Sequence, residues 1–413
     1  MLFCRMETSR NPPFLYDCIV IGGGISGITF THKLHQRGEN VLLLEKEQRL
    51  GGQVQTHVSS YDPHFWAELG AHTCYNSYVR LLSMVTDLHI EQYVRPEEGY
   101  KYMLYADGKI SNPMSKVSVP SLLMHGPRIF FTSKSGKTVR DYFRPIVGSG
   151  NYDRLFSNMF RAVMSQNTDN YPAELFLKGR KERLKQFPRK FTFEQGLSSL
   201  LERIVQASGF NHLMGEEVSE VQYVDQIYSV TTRKGDCFLG KRVAFATSPQ
   251  VASRLLHRIE PAMAKLLQSI PMAESGTLHI VVPKDRLSVE KVAGIIPVTD
   301  DFFSAVSRDG VDHPGLRGFS FHYGQPIQDR ERISGLACRV LGIRPEDIVE
   351  TKFTSHLLPS LRMQHRGMAQ QIEDVRLNDS VVMLGNYFYG QSLEDCVHRS
   401  FDECNRLHSL PIS

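Results

Sequence analysis

The chain has 413 residues, 41% hydrophobic and 22% charged, the balance of a globular protein with room for a large core. Its net charge of +4 is too mild to argue for nucleic acid, and no nucleic-acid motif accompanies it. The seven cysteines (Cys4, Cys18, Cys74, Cys237, Cys338, Cys396 and Cys404) stand singly with no C-x-x-C, which fits neither a zinc site nor a disulfide framework and suits a reducing compartment. No apolar run approaches the ~18 residues of a spanning helix. The first residues lack the apolar centre of a secretory signal. The expected location is cytoplasmic, with peripheral membrane contact left open.

The first informative stretch is DCIVIGGGISGITFTHKLHQRGENVLLLEKEQRLGGQVQTH, Asp17 to His57. Cys18 to Ile21 is an apolar run suited to a buried parallel strand. Gly22, Gly24 and Gly27 follow as G-x-G-x-x-G, which permits a tight turn, close approach to a pyrophosphate and close packing of helix on strand. A helix beginning near Ile25 would aim its first amides, at Ile25, Ser26 and Gly27, toward the phosphates. Gly38 stops that helix, and Val41 to Leu44 reads as the next strand. Glu45 at its end can accept hydrogen bonds from ribose hydroxyls. Strand, glycine turn, helix, strand and acid in that order predict a dinucleotide site, a pattern that NAD and FAD share.

The continuation separates the two cofactors. EKEQRLGGQVQT runs from Glu45 and Lys46 through Arg49 to Gly51 and Gly52, a second backbone approach to an extended ligand. It resembles the FAD signature of the flavin amine oxidase and protoporphyrinogen oxidase superfamily, E-x-x-x-R-x-G-G-R-x-x-T, with Gln53 in place of the second arginine. The resemblance implies FAD, with Arg49 and backbone amides answering the phosphates. FWAELGAHTCYNSY resembles the next FAD segment of that family, which implies that Gly70, Ala71 and His72 lie near the flavin. Read without the resemblance, His72 is a hydrogen-bonded structural histidine.

GYKYMLYADGKISNP reads as a hairpin turning at Asp107-Gly108. In the protoporphyrinogen oxidase branch a comparable strand carries an arginine that pairs with a substrate propionate. Here Tyr102 stands near that place, with Lys101 as the candidate substrate-binding charge. Residues 112–189 read as a helical insertion, which in relatives helps build the substrate pocket and in some touches membrane. KGRKERLKQFPRK then places seven basic residues between Lys178 and Lys190, read as a solvated face with some attraction for anionic lipid. FTFEQGLSSLLERI resembles the family's return to the nucleotide domain. The resemblance places a backbone group at Val218 against the adenine.

TLHIVVP and LRGFSFHYG read as strands of a substrate sheet and ERISGLACRVLG as a helix. SHLLPSLRMQHRG resembles the segment ahead of the final return to FAD. Near the end, SVVMLGNYFYGQSLEDCVHRSFDECNRL resembles the C-terminal G-N-x-x-x-G-x-x-x-x-D-C segment, with Ser400 where relatives usually have glycine. The resemblance implies cofactor contacts at Gly385, Asn386, Gly390, Ser392 and Leu393, with a helix N-terminus at the flavin's pyrimidine end, where reduction places negative charge.

Together these readings predict an α/β protein: a Rossmann-like FAD-binding domain (1–75, 190–251 and 366–413) with an interleaved α+β substrate domain (76–111 and 252–365) and the helical insertion. The resemblance is strongest to protoporphyrinogen oxidase and implies hydride transfer from a carbon centre to flavin, porphyrinogen to porphyrin, in heme biosynthesis. The electron acceptor, oxygen or a quinone, is left open, and no metal is expected. Alternatives are an amine oxidase, a polyene or natural-product desaturase, or a flavin-holding protein without turnover. No catalytic acid–base residue stands out.

Overall fold

The computed structural model describes residues 14–299 and 302–409. A five-stranded parallel sheet runs in the order Asn211–Met214, Val41–Glu45, Cys18–Ile21, Val243–Phe245, Val381–Met383. Its central strands are continuous apolar runs because both faces are covered. Cys18, Val20 and Leu43 enter a core with the helices Ile25–His35, Val79–Asp87, Leu197–Ser208 and Leu393–Ser409. Ile19, Ile21, Leu42 and Leu44 enter a second core on the opposite face.

That second core also takes Tyr142, Ile146 and Phe160 of the helical insertion. It takes Ala252, Leu255 and Met263 from the helices Pro249–Leu256 and Pro261–Gln268 as well. Residues 252–268 therefore pack behind the parallel sheet, although the sequence reading assigns them to the substrate half. The helix Val79–Asp87 differs in the same way.

A seven-stranded sheet forms the other lobe. Its order is Glu350–Pro359, Met272–Pro283, Leu316–Tyr323, Ser304–Ser307, Gly294–Pro297, Tyr102–Ala106, Lys109–Ser111. All its pairs are antiparallel except Gly294–Pro297 with Tyr102–Ala106. The predicted hairpin is present, turning through Asp107 (φ 52°) and Gly108 (φ 73°). One face of the sheet buries Leu278, Ile280, Phe319 and Phe321 under the helix Arg330–Leu341. Strand alternation puts Thr277, His279, Ser320 and His322 on the other face. There the Ser320 hydroxyl donates to Glu68 O (3.0 Å), joining the sheet to the segment after the second glycine pair. Glu350–Pro359 is a strand the sequence reading did not mark.

Candidate functional site

The site is built where the parallel strands end. Gly22 has φ +108°, a left-handed-side conformation that favours glycine, and a Cβ there would lie 2.6 Å from Ala246 O. Gly24 heads the helix Ile25–His35 without a side-chain cap, and no acid stands in its first turn. The helix thus presents uncapped amides and the positive end of its dipole. A Cβ on Gly24 would meet nothing nearer than Gly51 O at 4.0 Å, so the approach to those amides is open.

The second glycine loop docks beside the first. Gly51 N donates to Gly23 O at 2.8 Å, and Gly24 and Gly51 form a parallel bridge. Arg49 folds over this loop, donating to Gly52 O (2.7 Å) and Val54 O (3.2 Å). Its guanidinium shapes the loop in this structure, where the sequence reading has it answer phosphate. Glu45, 7% exposed, accepts from Gly23 N (2.6 Å) and Glu47 N (2.9 Å). Those two bonds hold the carboxylate at the strand end and leave acceptor positions for a diol. Lys46 is exposed and paired with Glu47. Gly215 N and Glu216 N donate to Glu47 O and Glu45 O, which brings the strand beginning at Val218 alongside.

Gln53 links three parts of the chain. Its amide donates to Leu357 O (2.7 Å) and its oxygen accepts from Asn386 Nδ2 (3.2 Å). Gly70 packs against Gln53 O too closely to admit a Cβ. Glu68 accepts from Leu197 N (2.7 Å) and the Thr56 hydroxyl (2.8 Å), and burial pushes its carboxyl up to about 7. His72 lies against Gly70 O (3.3 Å), and burial lowers its pKa.

The C-terminal helix begins as expected from Ser392. Its hydroxyl accepts from Asp395 N (3.1 Å) and donates to the Asp395 carboxylate (2.6 Å). The side of Gly390 where a Cβ would project faces Asp395, 2.6 Å away. Leu393 is buried. Ser400 donates to Ser26 O (2.9 Å), so the hydroxyl that replaces glycine ties this helix to the fingerprint helix. The basic run corrects the sequence reading. Arg180 binds Ser392 (2.7 Å) and Asp395 (3.0 Å), and Lys178 reaches Tyr389 O and Asp395. Lys190 pairs with Glu97 at 2.6 Å. Lys178 and Arg180 thus strap the start of the C-terminal helix and Lys190 holds Glu97, so the run does not form one solvated face.

Beneath the seven-stranded sheet lies a polar cavity of about 40 Å³, with His72 and Tyr102 in its wall. Lys101 is exposed and is not among the wall residues; its neighbour Tyr102, itself partly exposed, contributes to the wall instead. His279 and His322 share the sheet face above, and burial pushes each down to about 3. They are neutral imidazoles at ordinary pH. Among the described residues no cluster of His, Cys, Asp or Glu is arranged to hold a metal.

The chain belongs to the family of flavin containing amine oxidoreductases, whose profile matches residues 25–306. FAD is the cofactor this membership implies, and the uncapped helix, open glycine cradle and strand-end carboxylate fit it. An L-amino acid dehydrogenase from Synechocystis is 25% identical over 70% of this chain and 70% of its own. Among solved structures, a provisionally assigned protoporphyrinogen oxidase from an Exiguobacterium species has a TM-score of 0.75 at 14% identity, over 96% of this chain and 100% of its own. Cyclohexylamine oxidase from Brevibacterium oxydans has 0.72 at 16%, over 96% and 100%. These structural likenesses concern the fold. The chain is a flavin-dependent oxidoreductase of the amine oxidase superfamily.

Proposed function

We propose that this protein oxidises a carbon centre of a nitrogen-containing acid, with porphyrinogen to porphyrin as the first reading. The observation that carries the oxidation is the pair of docked glycine loops, joined through Gly70 and Ser320 to the cavity under the large sheet. When bound, FAD accepts the hydride; the chain supplies position and electrostatics. The pyrophosphate would rest on the amides of Ile25, Ser26 and Gly27, and the ribose on Glu45. Gln53 and Asn386, hydrogen-bonded to each other, would meet the ring system as one polar pair. The C-terminal helix would stabilise negative charge at the pyrimidine end, with Asp395 already neutralised by Arg180 and Lys178.

The C-terminal G-N-x-x-x-G-x-x-x-x-D-C segment supports the porphyrinogen reading. Amino acid oxidation is a second reading, favoured by the relative that spans 70% of this chain. Anaerobic mixing of the holoenzyme with a porphyrinogen, a panel of L-amino acids and simple amines separates the readings. Bleaching of the flavin by an acid-bearing substrate is expected; bleaching by an acid-free amine alone would overturn the proposal. A peripheral membrane contact is proposed at the tip of the insertion, where Leu123, Met124, Phe130 and Phe131 are exposed beside Arg128 and Lys134. Among the described residues no helix is long and apolar enough to cross a membrane.

A further inference from the structure

The polar cavity is lined by Arg308, whose guanidinium makes no close ion pair among the described residues, Asp312 and Glu68 acting on it only from a distance. Arg308 follows the strand Ser304–Ser307 and lies over two rings, 4.6 Å from the Trp66 centroid and 4.7 Å from that of Phe65. One of its nitrogens donates to Val311 O at 2.6 Å, while Nε is buried with no acceptor. Among the described residues, no carboxylate stands at ion-pair distance from it. Asp312 is held by Lys284 (2.8 Å) and Lys291 (3.0 Å). Glu97 is held by Lys190, and Glu68 by Leu197 N and Thr56. Each acid near the cavity already has its partner. A partly desolvated guanidinium stacked on aromatics, with donors to spare, is a receptor for a planar carboxylate.

A second residue lining the cavity supplies the complementary group. His279 is 1% exposed, and its Nε2 is buried without a partner. The tautomer follows from the bonds around it. Ser320 has one hydroxyl proton, which it donates to Glu68 O (3.0 Å). The contact between His279 Nδ1 and Ser320 Oγ (3.0 Å) is therefore donated by the imidazole. That leaves Nε2 as a lone pair, a buried hydrogen-bond acceptor with no donor among the described residues. Gly318 lines the cavity beside this ring, and a Cβ there would come 2.8 Å from His279 Cε1.

We propose that Arg308 and His279 form a two-point site for one ligand, taking its carboxylate at the guanidinium and an N–H group at the imidazole. Tetrapyrrole acids and amino acids both carry that pair of groups; simple amines lack the acid. The site rests on the functional reading above for its identification with substrate, but its binding chemistry is measurable without turnover.

The chain's single tryptophan, Trp66, lies under Arg308 and reports the site by its fluorescence. Holoenzyme is titrated with pyrrole-2-carboxylate, with furan-2-carboxylate, which lacks the N–H, and with pyrrole-2-carboxamide, which lacks the charge. Pyrrole-2-carboxylate should bind tighter than either by about tenfold, the effect of one lost hydrogen bond of this type. Arg308→Gln should abolish the preference for acid over amide. His279→Leu should abolish the preference for pyrrole over furan. Should Arg308→Gln not fold, Arg308→Lys keeps the charge but loses the fork: the preference for acid over amide should then persist while affinity for the acid falls several-fold, and unchanged affinity would overturn the role of the guanidinium. Equal binding of all three probes, or preferences that survive both substitutions, overturns the site. If the preferences hold while no acid-bearing substrate bleaches the flavin, the site stands and the functional reading falls.

Discussion

Replacing Gly24 with alanine separates cofactor binding from folding. Gly24 has φ −75° and ψ 177°, which any residue adopts, and its Cβ position is open to 4.0 Å. The methyl should change the stability of the cofactor-free chain by less than about 0.5 kcal/mol, because the poorer helix cap is offset by a less flexible unfolded chain. In the holoenzyme the same methyl would stand where the pyrophosphate approaches the helix. Displacing one charge-assisted hydrogen bond costs about 1.5–3 kcal/mol, or roughly 10–150-fold in Kd. With FAD at about 100 times the wild-type Kd, ligand linkage stabilises wild type by about 2.7 kcal/mol. A variant binding about 100-fold more weakly would retain only about 0.4 kcal/mol of that. Urea midpoints with and without FAD read both quantities. Gly22→Ala is the contrast, since φ +108° and Ala246 O at 2.6 Å predict loss of stability in both conditions. Full FAD-dependent stabilisation of Gly24→Ala would refute the placement of the pyrophosphate.

Three further outcomes follow from the structure. Glu68 is held near 7 when folded against an ordinary 4.5, so it binds its proton more tightly in the native state. Its contribution is fully present below about 4.5 and lost as pH rises through about 7, at most of order 3 kcal/mol. Denaturation midpoints should therefore fall between about pH 5 and about pH 8, and Glu68→Gln should flatten that fall. Asp395→Ala leaves Lys178 and Arg180 without their acid, and a lower urea midpoint is expected, by about 1–3 kcal/mol given their partial exposure. Co-sedimentation with anionic vesicles should be weakened by the double substitution Phe130→Ser and Phe131→Ser, and unchanged sedimentation would remove the insertion tip from any membrane contact.

The cradle was legible because its signals are local. The turn at Gly22, the uncapped start at Gly24 and the acid at Glu45 lie within one strand–helix–strand unit, where spacing alone fixes geometry. Glu350–Pro359 escaped because it is a partly exposed edge strand carrying Lys352, Thr354 and His356, without an apolar alternation to mark it. The basic run misled because cations in sequence look solvated; only the tertiary fold reveals that Asp395 lies within reach of Lys178 and Arg180. Arg308 and His279 carry no motif at all. They come to line one cavity through the pairing of three strands and the placement of Arg308 over Trp66, which no linear pattern encodes.

The most direct measurement on the central claim is to denature the purified protein and determine the mass and amount of the molecule released. Intact FAD is expected in the supernatant, close to one per chain in wild type and depleted in Gly24→Ala, with a colourless polypeptide left behind. Release of NAD, or a chain that neither carries flavin nor takes it up on reconstitution, would contradict it.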